Sequence, residues 1–247
     1  IYMQFIKQVL GCNIRTSNNM IRAETGCRPL INEIIQRYIS YTKNLKIRTT
    51  ALCYDSFIFE TKNTAQPNFC IFIQNFQMNI DDIVLKTKKE TRKICTESFD
   101  SFWETKIKES TKAITFYKFK TSIVLEPYLN MNLNPKHKIC LSRFRLSNHT
   151  LMIEKERHTN IDRNDRVCYF CENEIEDEVH FLIRCPLYIK ERNFITGICE
   201  STCANFQDLS DEQKFIFVMT NEGNDIIRIV AKFITHSLLL REKIITY

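Results

Sequence analysis

The sequence predicts a mainly α fold, with a helical domain, a small cysteine-rich segment and a C-terminal helical tail. Only four glycines and five prolines in 247 residues leave too few tight turns for a β-sandwich or barrel. Apolar residues recur instead at helical spacing, and no internal repeat or low-complexity tract interrupts them. Phe5, Ile6, Val9 and Leu10 form the first such group, and Ile34, Ile35, Tyr38 and Ile39 the second, after a turn at 26–29. Further helices are expected over about 50–61, 69–77 and 81–110. In the last of these Phe99, Phe102, Trp103 and Ile107 make one apolar stripe suited to packing on neighbouring helices. Around Pro127 and Pro135 the pattern loosens into a connector, followed over 136–154 by a short basic helix with an apolar end. Pro186 and Gly197 suit the first position and the end of another helix. Ser210 and Gln213 make a capping box for a helix through Thr220. A last helix over about 224–243 carries Ile227, Val230, Ala231, Ile234 and Leu238 on one face.

Length and composition bound the rest. A chain this long can bury a real core as one large or two small domains, and 44% hydrophobic with 26% charged residues is neither a disordered nor a membrane composition. There is no run of eighteen apolar residues and no signal-peptide pattern, so no membrane partner is expected. The first residue is Ile rather than Met, which is read as a fragment of a longer product. Eleven cysteines without a secretory signal point to a reducing intracellular compartment, cytoplasm or nucleus. A net charge of +6 favours acidic partners. Residues 84–120 hold ten Lys/Arg against five acids, whereas Glu172, Glu174, Glu176, Asp177 and Glu178 crowd into seven residues. Phosphate contact through that acidic stretch is not expected.

The most specific chemistry lies in CYFCENEIEDEVHFLIRC, where Cys168, Cys171, His180 and Cys185 give the spacing C-x2-C-x8-H-x4-C. Two intervening residues let a tight turn aim both sulfurs at one ion, and the loop to His180 is long enough to close a tetrahedral cage around one Zn2+. Four protein ligands leave no position for water, which argues for a structural rather than a catalytic zinc. Cys185 is expected to cap the helix that Pro186 begins, where the helix dipole favours a thiolate. Five residues do not return to one α-helical face, so a break at Pro186 is expected to bring His180 and Cys185 together. Cys199 and Cys203 remain alternative ligands.

The run LSRFRLSNHTLMIEKERHTNIDRNDRVCYFC…IEDEVHFLIRCPLY over 141–188 resembles the region after the polymerase in reverse transcriptases of non-LTR (LINE-type) retrotransposons, whose zinc-binding segment has the same Cys, Cys, His, Cys order. More loosely, FIKQVLGCNIRTSNNMIRAETGCRPL over 5–30 is similar to the helices that connect polymerase and finger there. The resemblance implies Cys168, Cys171, His180 and Cys185 as finger ligands, and one departure is Glu156, where a glycine is expected. It also implies an accessory region with an upstream polymerase domain as partner. A polymerase needs an aromatic-x-Asp-Asp turn to hold two cations. Asp81-Asp82 is preceded by Asn79-Ile80 and reads as a helix start, while His149 and His158 read as surface or loop residues. The chain is therefore expected to be no enzyme. It divides into a helical connector domain (1–125), a basic linker and short helix (126–163), a CCHC zinc-binding segment (164–197) and C-terminal helices (198–247). Lys136, Lys138, Arg143, Arg145, Arg157, Arg163 and Arg166 flank the finger and are the expected contacts to RNA or single-stranded DNA. A zinc-stabilised protein-interaction module and an inactive retrotransposon remnant are the rival readings.

Overall fold

The computed structural model describes residues 2–48, 55, 56, 59 and 86–246. The helix expected over 69–77, most of that over 50–61 and the Asp81-Asp82 pair lie outside the described residues. The fold is mainly α, as the turn-poor composition predicts, and among the described residues the β structure is one antiparallel bridge, Val167 to Ile175. The helices are α1 (Tyr2–Val9), α2 (Asn18–Thr25), α3 (Leu30–Arg48), α4 (Lys88–Lys108), α5 (Ile114–Phe119), α6 (Pro127–Asn130), α7 (Pro135–Arg145), α8 (Met152–Lys155), α9 (Ile189–Thr202), α10 (Asp211–Thr220) and α11 (Asn224–Thr246).

Two compact units divide the chain, one made of Ile1–Cys27 with Ile107–Tyr247, the other of Arg28–Lys106. These are not the four consecutive blocks expected from sequence. The reason lies partly in α2, whose Glu24 carboxylate accepts from Arg145 on α7 and draws the first residues into the C-terminal half. Gly26 closes α2 with φ +66°, its N–H reaching back to Ala23. A Cβ there would sit 2.7 Å from the Leu125 backbone nitrogen, so the close approach needs glycine as much as the left-handed turn does.

In the second unit, Arg28 grips Asp100 of α4 through two bonds of 2.8 and 2.6 Å, and Asn32 Nδ2 donates to the Cys95 carbonyl. Phe99 and Trp103 of the expected stripe are buried. Thr87 and Glu90 cap α4 reciprocally.

In the first unit, α7 and α9 pack on α11. The α11 face is the predicted one, with Ile227, Val230, Ala231 and Ile234 buried, and Arg241 buried below them. The capping box at Ser210 and Gln213 starts α10. Contrary to expectation Gly197 does not end its helix: α9 runs through it to Thr202. Ile195 and Cys199 are buried on either side of it, and that packing outweighs the roughly 1 kcal/mol that a mid-helix glycine costs. At the centre, Phe181 meets Phe144 of α7 (5.5 Å between centroids), Tyr188 (4.8 Å) and Phe233 of α11 (5.7 Å). The residue after His180 is thereby fixed from three sides.

Arg145 is not a surface contact. Only 5% exposed, it binds Glu24 and Glu126, donates to the Met219 carbonyl at 2.6 Å and lies over the Phe119 ring. Arg145→Ala would leave the buried Glu24 carboxylate without its cation, while Glu126 keeps Lys120. It is expected to cost about 3–5 kcal/mol in urea unfolding followed by circular dichroism, whereas exposed Lys136→Ala should cost less than about 0.5 kcal/mol.

Candidate metal centre

The site is built on a short hairpin. Cys168 N–H donates to Glu174 O (2.8 Å) and Glu176 N–H to Arg166 O (2.9 Å), which lifts residues 168–172 into a tight turn. Glu172 N–H closes that turn on Cys168 O at 2.9 Å, and Glu172 takes φ +54°, a left-handed conformation that usually selects glycine. The backbone N–H groups of Phe170 and Cys171 then point at the Cys168 sulfur, an arrangement that favours a thiolate. Glu156, where the resemblance leads one to expect glycine, has φ −93° and ψ 6°, so the turn there has no need of one.

His180 comes from the helical turn after the hairpin, begun by Asp177, whose carboxylate accepts from His180 N–H at 2.8 Å. From His180 to Arg184 the turn has π geometry, and Cys185 N–H bonds to His180 O at 2.7 Å. This corrects the expectation that a break at Pro186 does the work. An i to i+5 hydrogen bond widens the turn so that five residues do return to one face.

Cys168, Cys171 and His180 place their ligand atoms within 4.8 Å of one another and can hold a metal ion. The Cys171 sulfur is 3.5 Å from His180 Nε2, and the Cys185 sulfur is 3.9 Å from that of Cys168. With zinc bonds of about 2.3 Å to sulfur and about 2.0–2.1 Å to nitrogen, a regular tetrahedron has edges of about 3.8 Å between sulfurs and about 3.5 Å from sulfur to nitrogen. Both observed pairs match those edges. Behind the imidazole, Nδ1 lies 3.2 Å from Glu174, itself held by Arg184 at 2.9 Å, which leaves Nε2 for an ion. Between the sulfurs the proton belongs to Cys168, pushed up to about 12 by its bond to Cys185 and by burial, while the same bond draws Cys185 below its ordinary value. Burial presses His180 down, but the Cys168 thiol and Glu174 lift it above its usual value. Of the four predicted ligands Cys185 stands outside this group and reaches it through the Cys168 sulfur; Cys199 is buried in α9 and pushed up to about 11 by that burial, and neither it nor Cys203 joins the group.

Within the acidic stretch Glu172 is exposed and Glu174 half-exposed, but Glu176 and Glu178 are internal wiring. Glu176 is 1% exposed, accepts from Arg241 Nε and Nη2 at 2.7 and 2.6 Å and caps Met152 N–H at 2.7 Å. Glu178 accepts from Ser147 Oγ and meets His149 Nε2, each at 3.0 Å. His149 lies in a loop, as expected, but with its side chain fully buried, whereas His158 is exposed. Nothing in the local spacing tells which acid faces inward, because the partners Arg241 and His149 lie 65 and 29 residues away.

The seven expected phosphate contacts divide. Lys136, Arg143 and half-exposed Arg163 keep access to solvent, although Arg143 Nε donates to Gly11 O. Lys138 donates to Leu129 O, Arg157 grips Glu154, and Arg166 donates to Ile153 and Ile161 carbonyls. Arg145 is buried. No family model matches the chain, and neither a curated protein nor a solved structure gives a significant match.

Burial alone would raise Glu178, but His149 and the neighbouring donors hold it down to about 2. A carboxylate depressed by folding stabilises above its unfolded value near 4.3 and loses that contribution as pH falls through its folded value. Acid unfolding should therefore show a loss on the order of 3 kcal/mol between pH 4.5 and 2. Glu178→Gln should flatten that window in urea titrations at fixed pH.

Proposed function

We propose that this chain is a non-catalytic accessory region in which Cys168, Cys171, His180 and Cys185 hold one structural zinc, and that the body so fixed serves as a protein-interaction module. The observation that carries the metal reading is the pair of ligand spacings, 3.9 Å between Cys168 and Cys185 and 3.5 Å between Cys171 and His180. Three thiols and an imidazole suit zinc over harder ions, and four protein ligands leave substrate no coordination position. When bound, the ion would tie the hairpin to the π-turn; the chain's residues exclude water and orient the ligands. The order of ligands accords with the resemblance of 141–188 to the region after the polymerase in non-LTR reverse transcriptases.

Interaction with protein is favoured over nucleic acid because four of the seven expected phosphate contacts are spent within the fold. RNA or single-stranded DNA binding is the second reading, supported by exposed Lys88, Lys89, Arg92 and Lys93 on the first turns of α4.

Protein purified under reducing conditions should contain about one zinc per chain by elemental analysis. Cys168→Ser, Cys171→Ser and Cys185→Ser should each lose it and Cys199→Ser should keep it. Chelation should selectively raise hydrogen exchange over 164–188, and stoichiometric metal in Cys185→Ser would remove that residue from the ligand set.

For nucleic acid, each phosphate neutralised on a single strand contributes a salt slope of about 0.7. With the three accessible finger-flanking cations, raising salt from 50 to 200 mM should weaken binding of a labelled RNA no more than roughly twentyfold. A steeper slope that Lys88→Ala and Lys89→Ala reduce would make nucleic acid the principal ligand.

A further inference from the structure

Helix α1 is inside out. Its only charged residue, Lys7, is 7% exposed and donates to Ile14 O at 2.8 Å, whereas Phe5 and Val9 are each 63% exposed. A surface helix ordinarily buries its apolar stripe and exposes its charge. Phe5, Ile6 and Val9 instead form one wall of an open groove of about 400 Å³, whose other side is Leu129 with Pro135 and Ile139 of α7. Gly11 keeps the two helices close, since a Cβ there would meet Ile139 at 2.6 Å.

Charge says what fits. Residues 1–23 and 127–153 contain no Asp or Glu. The nearest acids in sequence, Glu24 and Glu126, are both bound to Arg145. Lys136 and Arg143 are exposed and seven residues apart on α7, hence on one face with Ile139 and about 10 Å apart along the axis. The groove is therefore apolar along its floor and cationic toward both ends. Apart from Phe5 the lining is without aromatic rings, so successive bases have one ring to stack on, which argues against a nucleic acid, and a concave surface suits a ridge of side chains better than a lipid bilayer.

We propose that the groove between α1 and α7 receives an amphipathic helix of a partner protein, its apolar ridge on Phe5, Val9 and Ile139 and its carboxylates, two turns apart, on Lys136 and Arg143. The proposal deepens the protein-interaction reading and does not depend on the metal. The test is a display library of helical peptides of about five turns, with Leu at positions i, i+3 and i+7 and Glu, Lys, Gln or Ser elsewhere, selected on the full chain. Peptides with Glu flanking the ridge should be enriched. In fluorescence anisotropy their affinity should fall about tenfold or more for Phe5→Ser/Val9→Ser and for Lys136→Glu, and fall with added salt. These side chains are exposed, so unchanged thermal melting certifies that each variant folds. Acidic peptides that bind the Phe5/Val9 variant undiminished would overturn the groove assignment and leave the interaction reading standing. Selection of nothing, or of basic helices, overturns the groove proposal and removes the support for an interaction module. Displacement of bound peptide by a single-stranded RNA or by phosphatidylserine vesicles, or self-association abolished by Phe5→Ser/Val9→Ser, would assign the face to that ligand and overturn the proposal.

Discussion

The buried fork between Glu176 and Arg241 is the constraint from which much of the first unit follows. Two short bonds join a carboxylate of the hairpin to a guanidinium near the end of α11, each residue 2% exposed or less. Isolated, either charge would be untenable in that interior, since a buried ion that loses its partner costs several kcal/mol. Hairpin and last helix must therefore assemble together. Glu176 extends the constraint by capping the start of α8 with its side chain while its carbonyl accepts from Ile153. With Phe181 wedged among Phe144, Tyr188 and Phe233, these bonds position the two halves of the metal centre before any ion is considered.

Cys168, Cys171 and His180 are thereby gathered into a group that could hold a metal ion, with Cys185 beside Cys168. The tight turn at 168–172 supplies two thiols and the π-turn supplies an imidazole and a third thiol. Glu174 sets the imidazole from behind. Coupling between site and body runs through neighbouring residues: His180 precedes Phe181, and Cys185 precedes the turn that carries Tyr188. The body around this group buries Lys7, Lys120, Arg145 and Arg241 and turns an apolar groove outward.

That distribution of charge runs against first impressions from composition. A basic chain with a run of acids invites a picture of opposed surfaces, one for phosphate and one repelling it. In the folded protein the acids at 174, 176 and 178 mainly satisfy buried or half-buried partners, and Arg145 neutralises two carboxylates instead of any ligand. What remains unbalanced is the pair α1 and α7, two acid-free stretches more than a hundred residues apart in sequence that the fold brings side by side.

By itself the sequence determined the features that depend on neighbours within a few residues. Scarce glycine and proline excluded a turn-rich β fold, helical spacing marked the buried face of α11, Ser210 and Gln213 capped α10, and the Cys-x2-Cys turn brought two sulfurs together. Such features obey local sterics and hydrogen bonding, so a window of residues suffices to read them. Only the tertiary structure decided that Gly197 lies inside a helix, that His149 and Arg145 are buried, that the first 27 residues belong with the C-terminal half, and that a π-turn returns Cys185 to His180. Each of these depends on a partner or a packing surface far along the chain, whose burial repays a local cost that sequence spacing registers and cannot offset.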